Sequence, residues 1–251
     1  MRLLLSVTGA LFSVACASAP PYQGVAAPEL FEIAQGAFDV GDYEEAQEAF
    51  DRFLISFPSN DRAPEARMLL AEAYFSDEQY ITALSEYRRF LNRFPDHASA
   101  PDAALGMCRS SAALSPNVQR DQSYTAEAEN VCSNVAVDYP GTRAADEARE
   151  TAGQMRHKLA QKLHEIADYY FRRKFYDSAI IYWEMIEEQY ADTELAPAAL
   201  LGIMQAYEEI GYDDLVEEAR QKILDVYPDS EEARGLGSNA SALAAPSGGV
   251  R

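Results

Sequence analysis

The chain has 251 residues, 48% of them hydrophobic, with 41 acidic against 21 basic side chains and a formal net charge of −20. That length and apolar content suffice for a sizeable core, as one or two domains or a single solenoid. The charge argues against nucleic acid or an anionic membrane surface as partner of the body, and three cysteines exclude a disulfide-dense mini-fold.

Arg2 followed by the largely apolar run Leu3–Ala15 is too short to span a bilayer and has the form of a secretory signal, assigned to residues 1–15. Ser13-Val14-Ala15-Cys16 resembles a bacterial lipoprotein cleavage box, with Ser13 where leucine is usual. Cys16 is then the lipidated mature N-terminus; a cut near Ala17 or Ala19, discarding Cys16, is the alternative. Residues 16–27 hold Pro20, Pro21 and Gly24 without periodicity and read as a tether.

From Pro28 onward the pattern becomes helical and repeats. In Arg67–Pro95, Leu70, Ala71 and Tyr74 form one apolar face, and Ala83, Leu84, Tyr87, Phe90, Leu91 and Phe94 form a second. Ser76-Asp77 supplies a turn between them, and Pro95 stops the second helix. The same sentence recurs. Tyr43, Tyr80, Tyr176 and Tyr212 each open a second helix, and Phe57, Phe94, Tyr190 and Tyr227 close it 14 or 15 residues later. The period is 37 residues from Tyr43 to Tyr80 and 36 from Tyr176 to Tyr212, which resembles the tetratricopeptide repeat.

The expected fold is all-α, a solenoid of about five helix–turn–helix units. Residues 28–141 hold repeats one to three, 142–234 hold repeats four and five, and 235–251 form a Gly/Ser/Ala-rich tail expected to be disordered. Repeat three is irregular, with a long loop at Ser115–Gln122. Ala145–Tyr170 carries an apolar stripe at three-to-four-residue spacing and predicts one long helix.

Chemistry-bearing motifs are few. No phosphate loop, nucleophile motif or metal-ligand spacing stands out, and no cofactor is called for. His164 and Asp168 share a helix face, with His157 one heptad earlier, and read as a solvated face. Asn239-Ala240-Ser241 has glycosylation form, relevant only in a eukaryote. Cys108 and Cys132 fall on the facing helices of repeat three, as a possible disulfide or as two buried thiols.

Two surfaces are expected to carry interactions. Arg156, Lys158, Lys162, Arg172, Arg173 and Lys174 concentrate positive charge in an acidic chain and read as a docking patch for an acidic partner, or as ordinary surface charge. Phe31, Phe38, Met68, Phe75 and Leu105 are placed on the concave side of the first helices, as a peptide-binding groove or as residues covered by local packing.

Three segments carry a more specific resemblance. They are Arg89-Phe90-Leu91 with Arg93-Phe94-Pro95, Pro101-Asp102-Ala103-Ala104-Leu105, and Arg120-Asp121-Gln122 with Thr125 and Ala128. With them the chain, from Pro28 to Pro228, resembles the BamD (ComL or YfiO type) family of outer-membrane assembly lipoproteins. The resemblance implies five repeats, a lipid anchor in the outer membrane and a periplasm-facing body without catalytic activity. It implies two partners: a POTRA domain of the barrel-assembly subunit, held by the C-terminal repeats, and the C-terminal strands of unfolded barrel proteins, met by the N-terminal repeats. Another envelope repeat lipoprotein, serving Tol–Pal or cell-division coordination, stays open, as does an enzyme of unrecognised type.

Mass spectrometry of the membrane-extracted protein should find Cys16 acylated at the mature N-terminus; a chain starting at Ala17 or later would contradict the anchor.

Overall fold

A computed structural model describes residues 21–243, with side chains to 237. Cys16 and the signal segment lie outside the described residues. Ten helices form five antiparallel pairs. They are α1 (Ala27–Val40) with α2 (Tyr43–Ser56), α3 (Ala63–Ser76) with α4 (Tyr80–Arg93), α5 (Ala100–Ala113) with α6 (Ser123–Asp138), α7 (Arg143–Arg172) with α8 (Tyr176–Gln189), and α9 (Leu195–Ile210) with α10 (Asp213–Val226). A further helix, α11 (Glu231–Leu243), packs on α9 and α10. Part of the segment expected to be disordered is therefore helical, because Ala233 and Leu236 find apolar cover in the last cluster. The fold is a tetratricopeptide-repeat solenoid.

Consecutive helices pack throughout. The odd-numbered ones also touch one another, α1 with α3, α3 with α5, α5 with α7 and α7 with α9, while no two of α2, α4, α6, α8 and α10 do. The odd helices therefore form the inner, concave layer. Pro28, Pro64 and Pro101 stand in the first turns of α1, α3 and α5, where a missing N–H costs nothing.

Four of the five turns within the repeats use one device; the long α5–α6 loop does not. Gly41 at φ 81° and Gly211 at φ 90° close α1 and α9 in the left-handed conformation that favours glycine. Glu78 (φ 59°) and Lys174 (φ 65°) adopt it after α3 and α7. The following N–H reaches back to a carbonyl five residues earlier in all four turns, from Asp42 to Ala37, Gln79 to Tyr74, Phe175 to Tyr170 and Tyr212 to Tyr207. Aromatic pairs bridge the same turns: Phe38–Tyr43, Phe75–Tyr80 and Phe171–Tyr176 at 5.4–5.8 Å, and Tyr207–Tyr212 at 6.4 Å. The recurring tyrosines thus belong to the turns as well as to the helix starts. Lys174, read in the sequence as a docking cation, is also a backbone device.

The core is built from alanine positions and aromatic rings. Phe31, Phe50 and Phe53 meet edge-on at 5.4–5.6 Å in the first repeat. Tyr22 and Val25, expected in the tether, pack on this cluster, and the Tyr22 hydroxyl donates to Glu45 at 3.3 Å. Buried Glu86 of α4 accepts from Arg67 of α3 at 2.8 Å and from Arg89 at 2.6 Å. Cys108 and Cys132 are joined as a disulfide between α5 and α6, with Cα atoms 4.7 Å apart.

Two glycines allow the closest helix contacts. A Cβ on Gly106 of α5 would stand 2.4 Å from the Tyr87 ring of α4, and one on Gly202 of α9 would stand 2.6 Å from the Trp183 ring of α8. Tyr87 and Trp183 hold the same place, seven residues after the tyrosine that opens each helix.

Gly106→Ala should therefore lower stability by about 1–3 kcal/mol through overpacking. Gly153→Ala, in exposed helical backbone with nothing within 4 Å, should raise it by about 0.4–1 kcal/mol. Chemical denaturation of the two variants checks both signs.

Candidate peptide-binding groove and docking surfaces

The inner helices of the first three repeats enclose a concave cavity of about 690 Å³. Residues Met68, Glu72 and Phe75 recur at four and three residues along α3 and so share one stripe. Phe38 comes from α1, Leu105 and Arg109 from α5, and Arg143 from the start of α7. Tyr87 reaches the cavity from the outer helix α4 because Gly106 leaves its ring a path.

Of the five residues expected in the groove, four line it. Phe31 does not. It is fully buried among Phe50 and Phe53, with the Arg62 guanidinium 3.3 Å above its ring. The turn-to-turn count of 37 residues aligns Phe31 with Met68, and the equivalent turn residues Gly41 and Glu78 and pairs Phe38–Tyr43 and Phe75–Tyr80 keep that count. The two positions differ in what covers them: the rings of Phe50 and Phe53 and the Arg62 guanidinium close over Phe31, whereas Met68 stays partly exposed on the cavity. Leu105 lines the cavity but keeps only 2% exposure, since it also belongs to the cluster containing Cys108, Ala144 and Ala148. The usable apolar surface is Phe38, Met68 and Phe75; Tyr87 also borders the cavity but, at 4% exposure, shows it little more than Leu105 does.

The charges of the cavity are unequal in their partners. Arg143 donates to Asp102 at 2.8 Å and to Glu147, and Arg109 also pairs with Glu147. The Arg109 hydrogen bond, ahead of Arg143, holds the Glu147 carboxyl below the usual range. Glu65 pairs with Arg62 at 2.9 Å. Glu72 makes no hydrogen bond or ion pair among the described residues. Its carboxyl is pushed up, first by burial and then by Asp102, with Arg109 opposing. Burial, then Glu72, raises the Tyr87 phenol.

The basic segment does not form one patch. Arg156 is turned inward, donating to the Gln189 carbonyl and to Asp192 at 2.6 Å, approaching Glu129 at 3.4 Å, and lying 5.2 Å over the Tyr190 ring. Lys158 donates to Ser115 Oγ at 2.8 Å and Lys162 to the Gln119 carbonyl at 3.2 Å. All three tie α7 to other elements of this chain. Arg172, Arg173 and Lys174 are exposed at the far end of α7, beside exposed Tyr169 and Phe175, with Arg173 4.5 Å over the Tyr169 ring. Among the described residues Arg172 meets only Asp168, at 3.9 Å. Linear proximity of charge hid this division.

The Arg120-Asp121-Gln122 loop is ordered by its own side chains. The Gln122 amide donates to the carbonyls of Asn117 at 2.8 Å and Arg120 at 3.1 Å, and its Oε1 accepts from buried Thr125 at 2.6 Å. Thr125 also meets Ser115, the residue that Lys158 holds. Asp121 accepts from the Ser123 N–H at 3.0 Å, and hydrogen bonds from Ser123 keep its carboxyl below the usual range. The loop is a strut between α5, α6 and α7.

His164 accepts at Nδ1 from the buried Trp183 indole at 3.1 Å and lies 3.8 Å from Asp168, so it joins α7 to α8. Among the described residues no group of three His, Cys, Asp or Glu is placed to hold a metal ion, and no helix is long and apolar enough to cross a membrane.

The model of the YfiO family, described as outer membrane lipoprotein, matches residues 24–224. The chain belongs to the YfiO family. The match runs from just ahead of α1 almost to the end of α10 and so takes in the groove, the strut and the exposed end of α7. The chain is also 30% identical over 83 residues to the outer membrane protein assembly factor BamD of Vibrio cholerae serotype O1. That alignment covers 33% of this chain, and the chain spans about a third of the length of this curated relative (34%). Solved structures with similar arrangements include the TPR2AB-domain:pHSP90 complex of yeast Sti1, at 11% identity and a TM-score of 0.43 over 86% of this chain and 83% of that one. Another is a thermophilic TPR protein of Thermus thermophilus, at 18% identity and a TM-score of 0.36 over 87% and 99%. Neither contributes to the functional reading of this YfiO-family chain.

Glu72, Arg109 and Arg143 were not singled out in the sequence, and Tyr87 was read there as part of an apolar helix face and not of the groove. The stripe spacing from Met68 to Phe75 pointed at Glu72; the others come from elements that only the fold brings near.

Truncating Arg156 should cost about 1–3 kcal/mol, since it removes hydrogen bonds between charged groups and strips three elements of a shared partner. Exposed Arg172→Ala should stay within about 0.5 kcal/mol. The Arg156 hydrogen bond holds the Asp192 carboxyl below the usual range. Its share of stability is therefore present above the ordinary carboxylate pKa and lost as pH falls through the depressed value. Urea titrations of wild type and Arg156→Ala at neutral and acid pH check this: the gap should narrow in acid.

Proposed function

We propose that this chain is a lipid-anchored, non-catalytic subunit of an outer-membrane β-barrel assembly machine, facing the periplasm through its repeats. The observation that carries the reading is the YfiO-family match over residues 24–224, which takes in both the concave groove and the exposed end of α7. The likeness of part of the chain to an outer membrane protein assembly factor supports the same role.

In this reading the groove of the first three repeats receives extended segments of unfolded barrel proteins, their C-terminal strands among them. Such a strand presents side chains at a two-residue spacing, and Phe38, Met68 and Phe75 offer apolar contact to one row of them. Each side chain fully buried contributes about 1.5–3 kcal/mol, and ordering the peptide offsets much of that, so affinity is about micromolar. The C-terminal repeats dock a POTRA domain of the barrel subunit. Arg172, Arg173, Tyr169 and Phe175, exposed together at the end of α7, have the aromatic and arginine character of an interface centre.

Affinity capture from detergent-solubilised outer membrane should bring down a large barrel protein carrying POTRA domains. Arg172→Glu with Arg173→Glu should reduce that capture while the far-ultraviolet helical signal stays unchanged. Recovery of Tol–Pal or division components in place of the barrel subunit would overturn the assembly role.

A further inference from the structure

We infer that the groove contains a subsite for a positively charged side chain, with Glu72 as its specificity-determining residue and the rings of Phe38, Phe75 and Tyr87 around it. The inference rests on the reading of the groove as a peptide site and names the chemistry of its ligand: an extended peptide carrying a lysine or arginine among apolar residues.

The argument is one of unbalanced charge. The cations lining the cavity are already committed, Arg143 to Asp102 and Glu147, and Arg109 to Glu147. Of the acids lining the cavity, Glu65 is paired with Arg62 and Asp102 with Arg143. Glu72 alone has neither hydrogen bond nor ion pair, although it is largely withdrawn from water in the cavity that Phe38, Met68, Phe75 and Tyr87 also line. Arg109 is near enough to favour its charge but donates no hydrogen bond to it. A carboxylate in that setting costs free energy until a counter-charge arrives. Its raised pKa, with burial as the main cause, expresses the same cost.

The surroundings select the counter-charge. Aromatic faces attract ammonium and guanidinium groups through the ring quadrupole, most strongly when water is excluded. A long basic side chain also brings an apolar stem to lie against Met68, leaving its charge at Glu72. A peptide carboxylate is the poorer fit, because Arg109 and Arg143, although exposed, already have their charge balanced by acids of this chain. The site thus differs from a clamp for a terminal carboxylate. Its open cavity leaves room for a side chain to enter from a strand running along the groove.

The test uses two fluorescein-labelled extended peptides of alternating apolar and polar residues, identical except for one central lysine or glutamine. Fluorescence anisotropy at physiological ionic strength, where exposed charges beyond about 8 Å are screened, reads their affinities. The lysine peptide should bind wild type about tenfold more tightly, the size of a desolvated cation contact. Glu72→Gln, an isosteric change, should shrink that ratio to about twofold or less. Glu188→Gln, which removes the same charge from an exposed position on α8, should leave the ratio intact. An equal ratio in Glu72→Gln and wild type, or equal affinity of both peptides for wild type, would overturn the subsite. If Met68→Ala still weakens both peptides in that case, the groove stands and only its cation preference is lost. If neither peptide binds wild type at all, the groove reading fails and the subsite with it.

Discussion

The ring of Tyr87 fills the space that a side chain at position 106 would need, and Trp183 does the same at position 202. These contacts set how closely an outer helix approaches the inner helix of the next repeat. Dispersion falls steeply with separation, so a gap of even an ångström would forfeit much of the contact. A spacing fixed in this way fixes the stagger of the inner helices. The concave surface inherits its shape from that stagger. Tyr87 shows the connection directly, because the ring that locks α4 against α5 also lines the groove.

Charge is distributed by a second rule. The protein is strongly acidic, yet many of its arginines are spent on internal joints: Arg67 on buried Glu86, Arg156 on Asp192 and Glu129, Arg143 on Asp102 and Glu147. Each of these joints links one helix to another helix or turn. A solenoid has contacts only between neighbours, so its resistance to bending depends on such local links. What remains unpaired then becomes informative. Among the described residues Glu72 in the groove has no hydrogen bond or ion pair, and Arg172 and Arg173 at the end of α7 reach only Asp168 and the Tyr169 ring of their own helix.

Repeat three carries the most elaborate support. The Cys108–Cys132 disulfide joins its two helices, and the Gln122–Thr125–Ser115 network fills the long loop between them. Lys158 and Lys162 then attach that loop to α7, the longest helix at 30 residues or about 45 Å. The repeat forms one wall of the groove and packs directly on α7, whose far end is the exposed basic one.

By itself the sequence determined the class of fold and most of the helix pairs, though not α11, because these rest on local chemistry. Apolar spacing, prolines and a tyrosine at four of the turns are readable without knowing what they touch. It determined the family resemblance too, through short runs such as Arg120-Asp121-Gln122, though not that Gln122 works as a strut. Tertiary structure decided which residues face the groove. Phe31 and Met68 hold equivalent places by turn-to-turn counting, yet Arg62 and the rings of Phe50 and Phe53 cover the first while the second lines the cavity. Tertiary structure also decided which cations join one element to another. Arg156 and Arg172 are the same residue type on one helix, yet the first faces Asp192 and Glu129 while the second faces solvent. A helical pattern gives the period of a face but not what will pack against it, and what packs against a side chain decides whether it holds the fold or meets a partner.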